Sequence, residues 1–157
     1  MLVVTGAISR NGLYLEPDVE SIPDYIKAGK ISNSAGNGKS GYTTREELAA
    51  AYIKLITNDK HNGKTYHVFG ESITQQQLVD RINQVYDISL VYEPVSVNQY
   101  KKDRIAVHGE NPGGIIAGIY EGIKNGAFDM GSDFKTITGR DHQSVRDFLM
   151  QSKQAGF

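Results

Sequence analysis

Apolar residues along the chain fall into short extended runs and longer helical stripes that alternate. Leu2-Val3-Val4 is a β-branched run ended by Thr5-Gly6, and it predicts a buried strand within Met1 to Ala7. After an Asn11-Gly12 turn, Leu13-Tyr14-Leu15 runs into Pro17. A helix is expected over Ile22 to Ala28, capped by Ser21 and stopped by Gly29, with a brief strand over Lys30 to Asn33 behind it. Ser34 to Thr43 is polar and glycine-rich and reads as a surface or lid loop.

Three stretches have the spacing of a capping box, in which a hydroxyl accepts the third residue's amide and that residue reaches back. Thr44 to Glu47 opens a helix with Leu48, Tyr52, Leu55 and Ile56 on one face. Asn62-Gly63 turns the chain into a strand over Lys64 to Phe69. Thr74 to Gln77 then precedes Leu78, Val79, Ile82, Val85 and Tyr86 at helical spacing. A strand over Leu90 to Val95 leads to the third box, Ser96 to Gln99. Asn111-Pro112 opens a helix with Ile115, Ile116, Ile119, Tyr120 and Ile123 on its apolar face. Gly114, Gly118, Gly122 and Gly126 form a second stripe there. Interior glycines cost a helix roughly 1 kcal/mol each against alanine, so the stripe predicts a closely packed neighbour. A last helix is expected from Gln143 to Ser152, apolar at Val145, Phe148 and Leu149.

This alternation argues an α/β fold in one domain, residues 1 to 157, although four short strands make a thin sheet. Composition adds exclusions. Hydrophobic residues at 39% and charged residues at 22% are a globular balance. A net charge of −1 gives no field toward nucleic acid or anionic lipid. The absence of cysteine removes disulfides, thiolate catalysis and cysteine zinc sites. No apolar run approaches the ~20 residues that span a bilayer. No secretory signal is recognisable, so a cytoplasmic, non-membrane protein is expected.

Three motifs imitate nucleotide or catalytic signatures. Gly38-Lys39-Ser40 ends like a phosphate-binding P-loop, but Asn33 stands where the opening glycine belongs and the helix start is delayed to Thr44. Tyr120-x-x-x-Lys124 matches a proton-donating pair, yet Tyr120 is in phase with the isoleucines and reads as a core tyrosine with a surface lysine. Gly6 and Gly12 occupy the outer places of a dinucleotide fingerprint, but Ser9 fills the middle one. His61, His67, His108 and His142 have no metal spacing, so no metal is expected.

Four segments, taken in order, carry a resemblance. RNGLYLEPD (Arg10 to Asp18), AGNGKSGYTTREELAAAYIKLI (Ala35 to Ile56), GKTYHVFGESITQQQLVDRI (Gly63 to Ile82) and GAFDMGSDFKTITGRDHQSVRDFL (Gly126 to Leu149) resemble the carboxy-terminal half of NmrA-like atypical short-chain dehydrogenases, above all the NAD(P)H:quinone oxidoreductase branch. The resemblance implies a partial Rossmann-like fold with a substrate-binding subdomain, without the amino-terminal nucleotide-binding half. It implies an oxidoreductase reducing quinones or similar carbonyls with NADP or NAD. The alternative is a non-catalytic, nucleotide-sensing regulator of the same family. Carried over by position, Asn11 and Gly12 are candidates for the cofactor and Tyr14 and Glu16 for the small-molecule substrate. Faces meant for missing strands imply a homo-oligomer.

Overall fold

A computed structural model of the chain describes residues 6–156. The strand expected over Met1 to Ala7 lies outside the described residues except for Gly6 and Ala7, which are irregular. The elements are β1 (Ile8–Asn11), β2 (Leu13–Tyr14), α1 (Glu16–Glu20), α2 (Ile22–Ala28), β3 (Lys30–Asn33), β4 (Lys39–Thr43), α3 (Arg45–Ile56), β5 (Thr65–Val68), β6 (Ser72–Thr74), α4 (Gln75–Tyr86), β7 (Val91–Pro94), α5 (Val97–His108), α6 (Glu110–Lys124), α7 (Phe134–Thr138) and α8 (Val145–Gln154). The class is α/β. Parallel pairs dominate: β1 with β5, β2 with β4, and β3 with β7, while β6 runs antiparallel on the far side of β4. One apolar cluster gathers Leu15, Ile22, Tyr42, Leu78 and Leu149, and a second gathers Leu48, Leu55, Val68 and Phe134.

Local chemistry sets most boundaries. Thr74 and Gln77 form a complete capping box, the Thr74 hydroxyl accepting the Gln77 amide and the Gln77 side chain accepting the Thr74 amide. The other two boxes close on one side. Thr44 accepts the Glu47 amide and Ser96 accepts the Gln99 amide, but the Glu47 carboxylate bonds Arg140 and the Gln99 amide donates to Asp103. Ser21 precedes α2 without capping it, because its hydroxyl donates to the Pro17 carbonyl. Gly29, at φ 69°, stops α2 in the left-handed region.

Three expectations need correction. Ser34 to Thr43 is not a lid loop: β4 occupies its second half between β2 and β6, and Ser40 and Thr43 are completely buried. Pairing on both edges satisfies that backbone, so the strand forms without an alternating apolar pattern. The glycine stripe meets a close neighbour at Gly122 alone, where a Cβ would stand 2.8 Å from the Phe128 ring. Gly114 and Gly118 face open space, whereas a Cβ on Gly113 would stand 2.5 Å from the Arg104 carbonyl oxygen. The tight approach of α5 and α6 is therefore offset by one residue. Along α3, Leu48 and Leu55 are buried with Ala51, but Tyr52 and Ile56 point outward.

Candidate functional site

The path of the chain changes at Gly12. Up to Asn11 it pairs with β5, Arg10 opposite His67 and Asn11 opposite Val68. The Gly12 amide donates to the Val68 carbonyl at 3.2 Å, and from Leu13 the chain pairs with β4 instead. Only glycine fits this crossing. A Cβ would collide with the Gly41 carbonyl oxygen and stand 2.7 Å from Phe69 Cβ.

At the carboxyl ends of β1 and β5, beside this crossing, opens a cleft of ≈ 330 Å³. Arg10, Asn11, Gly12, Gly41 and His67 border it, and Phe69, Ala127, Phe128 and Met130 give it apolar walls. Open α/β sheets take ligands at such places, outside the carboxyl ends of parallel strands where strand neighbours change. The wall is fastened to the floor. The Asp133 carboxylate accepts the His67 amide at 2.8 Å, the Asp133 amide donates to the His67 carbonyl at 2.7 Å, and the Ser132 hydroxyl donates to the Phe69 carbonyl. Asn11 is oriented from two sides: Ser9 donates to its Oδ1 at 2.9 Å, and its Nδ2 donates to the Tyr52 hydroxyl at 2.6 Å. One amide hydrogen remains for a guest. The cleft suits a flat ring bearing a hydrogen-bond acceptor.

Asn11 and Gly12 thus share one site. Tyr14, half-exposed on β2 opposite Thr43, lies outside its lining. Glu16 borders a separate cleft of ≈ 300 Å³ with Val19, Arg45 and Phe148. There its Oε1 accepts the Arg45 amide at 2.7 Å, at the start of α3.

The imitating motifs do other work. Lys39 begins a strand and no helix, and Gly38 is pressed against the Ile123 carbonyl, so no phosphate cradle forms. Burial pushes the Tyr120 phenol well above its usual range, opposite to what proton donation with Lys124 requires. The Tyr120 ring packs edge-on to Tyr100 at 5.1 Å. Residues Ile8–Asn11 are strand, so the fingerprint-like segment makes no strand–turn–helix. His61 meets the Tyr66 hydroxyl at 2.8 Å. His142 lies between the Gln143 carbonyl at 2.6 Å and the Thr43 hydroxyl at 3.0 Å. A carbonyl only accepts, so Nδ1 carries a hydrogen toward Gln143.

Two carboxylates, Glu47 buried and Asp18 partly buried, escaped the sequence reading. Glu47 accepts from both terminal nitrogens of Arg140, at 3.0 and 2.6 Å, and from the Gln143 amide at 2.8 Å. Burial alone would raise its carboxyl, but the guanidinium and the amide outweigh it and hold the group below its usual range. Among the described residues Asp18 accepts the Tyr25 hydroxyl alone, at 3.0 Å, and burial pushes it up to about 6. No local signal marks Glu47, because Arg140 and Gln143 arrive from a distant segment.

No family model matches the chain. A curated relative, quinone oxidoreductase 2 of Escherichia coli (strain K12), is 33% identical over 88 residues, which covers 55% of this chain and 31% of the relative. The solved structure of a nucleoside-diphosphate-sugar epimerase from Staphylococcus aureus superposes with a TM-score of 0.85 at 25% identity, over 94% of this chain and 52% of its own. A Citrobacter sp. triphenylmethane reductase, solved complexed with NADP(H), superposes with a TM-score of 0.79 at 28% identity, over 91% of this chain and 51% of its own. The chain spans less than a third of the curated relative in the matched stretch, and about half the length of these solved structures.

Proposed function

We propose that this chain, whose sequence and fold resemble the carboxy-terminal half of NmrA-like atypical short-chain dehydrogenases, is the substrate-side half of an NAD(P)H-dependent reductase of quinones or similar carbonyl compounds. The observation that carries this reading is the cleft at the Gly12 crossing, bordered by Asn11 and walled by Phe69 and Phe128. NADP or NAD, when bound, supplies the hydride. Asn11 and Gly12 border the ring end of the cofactor, and the free Asn11 hydrogen orients a ring carbonyl. Phe69, Phe128 and Met130 cover the ring faces and exclude water. Tyr14 takes the substrate side, and Glu16 supports it by holding the start of α3. The fit is to the ring end alone. No phosphate cradle exists among the described residues.

A second reading, a nucleotide-sensing regulator without turnover, is favoured by one observation. The Tyr120–Lys124 pair, the sequence's own proton-donor candidate, lies outside the cleft lining. Either form assembles with itself, because Ile53 (58% exposed) and Ile56 (81% exposed) leave an apolar stripe on α3 uncovered. Among the described residues no helix is long and apolar enough to cross a membrane.

NADPH titrated into the chain with a naphthoquinone tests these readings. Loss of nicotinamide absorbance, reduced about tenfold or more by Gly12→Ala, supports the reductase. Saturable NADPH binding without turnover supports the regulator, and neither binding nor turnover removes both for this chain. A monomeric mass by light scattering at micromolar concentration overturns the assembly.

A further inference from the structure

The ring cleft has two basic residues on its border, Arg10 and His67, that a neutral ring does not need. β1 and β5 run parallel with Arg10 opposite His67, and residues paired in this way stand on the same face of a sheet. Val68, between His67 and Phe69, turns the other way and is sealed in the core with Leu48 and Phe134. A guanidinium, an imidazole and an aromatic wall therefore meet on one side of the strands. Arg10 is exposed and His67 half-buried, so the basic groups lie toward the opening of the cleft.

No carboxylate answers them. Asp129 and Asp133 belong to the segment that supplies the wall, but neither borders the cleft, and the Asp133 carboxylate is turned to the His67 amide. Arg10 is in none of the ion pairs among the described residues. A lone surface arginine is ordinarily only solvated. This one borders a cavity of ≈ 330 Å³ whose other walls include Phe69, Phe128 and Met130. A ring seated against those walls displaces water, and an attraction that open solvent screens grows stronger there. The planar guanidinium fork matches two oxygens of a carboxylate or sulfonate, and an imidazole N–H adds a further donor. A cationic ring would meet the like charge of the guanidinium.

We propose that this cleft selects flat aromatic compounds that carry an anionic substituent (a carboxylate, a sulfonate or a ring enolate), with Arg10 as counter-charge and His67 as second donor. The proposal rests on the cleft being a substrate site and narrows its substrates from quinones and carbonyls at large to acidic ones. Arg10 and His67 take no part in hydride or proton transfer. They decide which ring enters.

Calorimetry on the 157-residue chain with naphthalene-2-sulfonate and with the uncharged naphthalene-2-sulfonamide tests it at low ionic strength. The sulfonate is expected to bind saturably and at least about fivefold tighter than the sulfonamide, and added salt should narrow that gap. Arg10→Gln should remove most of the preference while leaving the affinity for the sulfonamide within about twofold. His67→Gln should weaken the sulfonate by about twofold. It keeps the latch to Asp133, which is made through the His67 backbone.

Equal affinity for the two ligands overturns the proposal and leaves the cleft a ring site, so the reductase reading survives that result. A preference that persists in Arg10→Gln also overturns it. So does inorganic pyrophosphate displacing the sulfonate with comparable affinity, because Arg10 would then read charge without a ring. Failure of both ligands to bind at millimolar concentration removes this proposal and the ring site together. The wild-type ligand pair decides even if a variant does not fold.

Discussion

Glu47 and Asp18 are two carboxylates drawn into the fold with opposite results. Glu47 receives three hydrogen bonds, two of them from a guanidinium, and stays charged. Asp18 receives one from a phenol and holds its proton up to about pH 6. The difference lies in the number and charge of the donors that reach each group. A satisfied carboxylate ties segments together, here the start of α3 to the Arg140–Gln143 turn. One that meets a single neutral donor is raised by burial instead.

The largest break in that comparison is Glu47→Ala. It strands the Gln143 amide and frees Arg140, and is expected to cost about 3 kcal/mol in urea unfolding at neutral pH, discounted because the guanidinium is half in water. A loss under about 1 kcal/mol there would remove the claim that this pair joins the two segments.

Next in size is Asp18→Asn, with the opposite sign. The folded state raises this carboxyl above its ordinary 3.8, so its protonated form favours folding and that stability is lost as pH rises through about 6. At pH 7.5 the asparagine variant should be more stable than wild type by about 2 kcal/mol, and the gap should close by about pH 4. Glu47 has the reverse slope. Its lowered carboxyl stabilises the fold above its ordinary range and loses that contribution on acidification. Stability profiles of the two single variants that run parallel across pH 4 to 7 would contradict this reading.

The smallest effect is expected at Lys135→Ala. Its 2.9 Å pair with Asp141 lies in open solvent, and thermal unfolding should register a change below about 0.5 kcal/mol.

Legibility in the sequence followed the range of the causes. The bounds of α2 and β3 agree with expectation because Gly29 ends one and begins the other within a single turn. The box at Thr74 closed as its spacing indicated, since both partners lie three residues apart. β4 was hidden because Lys39-Ser40-Gly41-Tyr42-Thr43 has no apolar period. Its stability comes from neighbours on both edges and from Phe69 lying against Gly41. Of the candidate residues, Asn11 and Gly12 reach a common cleft, while Glu47 takes its partners Arg140 and Gln143 from 93 and 96 residues farther along the chain. No window of sequence contains that convergence.

The strand pairings carry a kinetic consequence. Ile8 lies opposite Thr65 and Lys30 opposite Val91, so the two parallel ladders interleave and each brackets part of the other's intervening chain. Neither can zip from a neighbouring turn. Loop-closure entropy must be spent before either ladder returns energy, a topology that slows refolding.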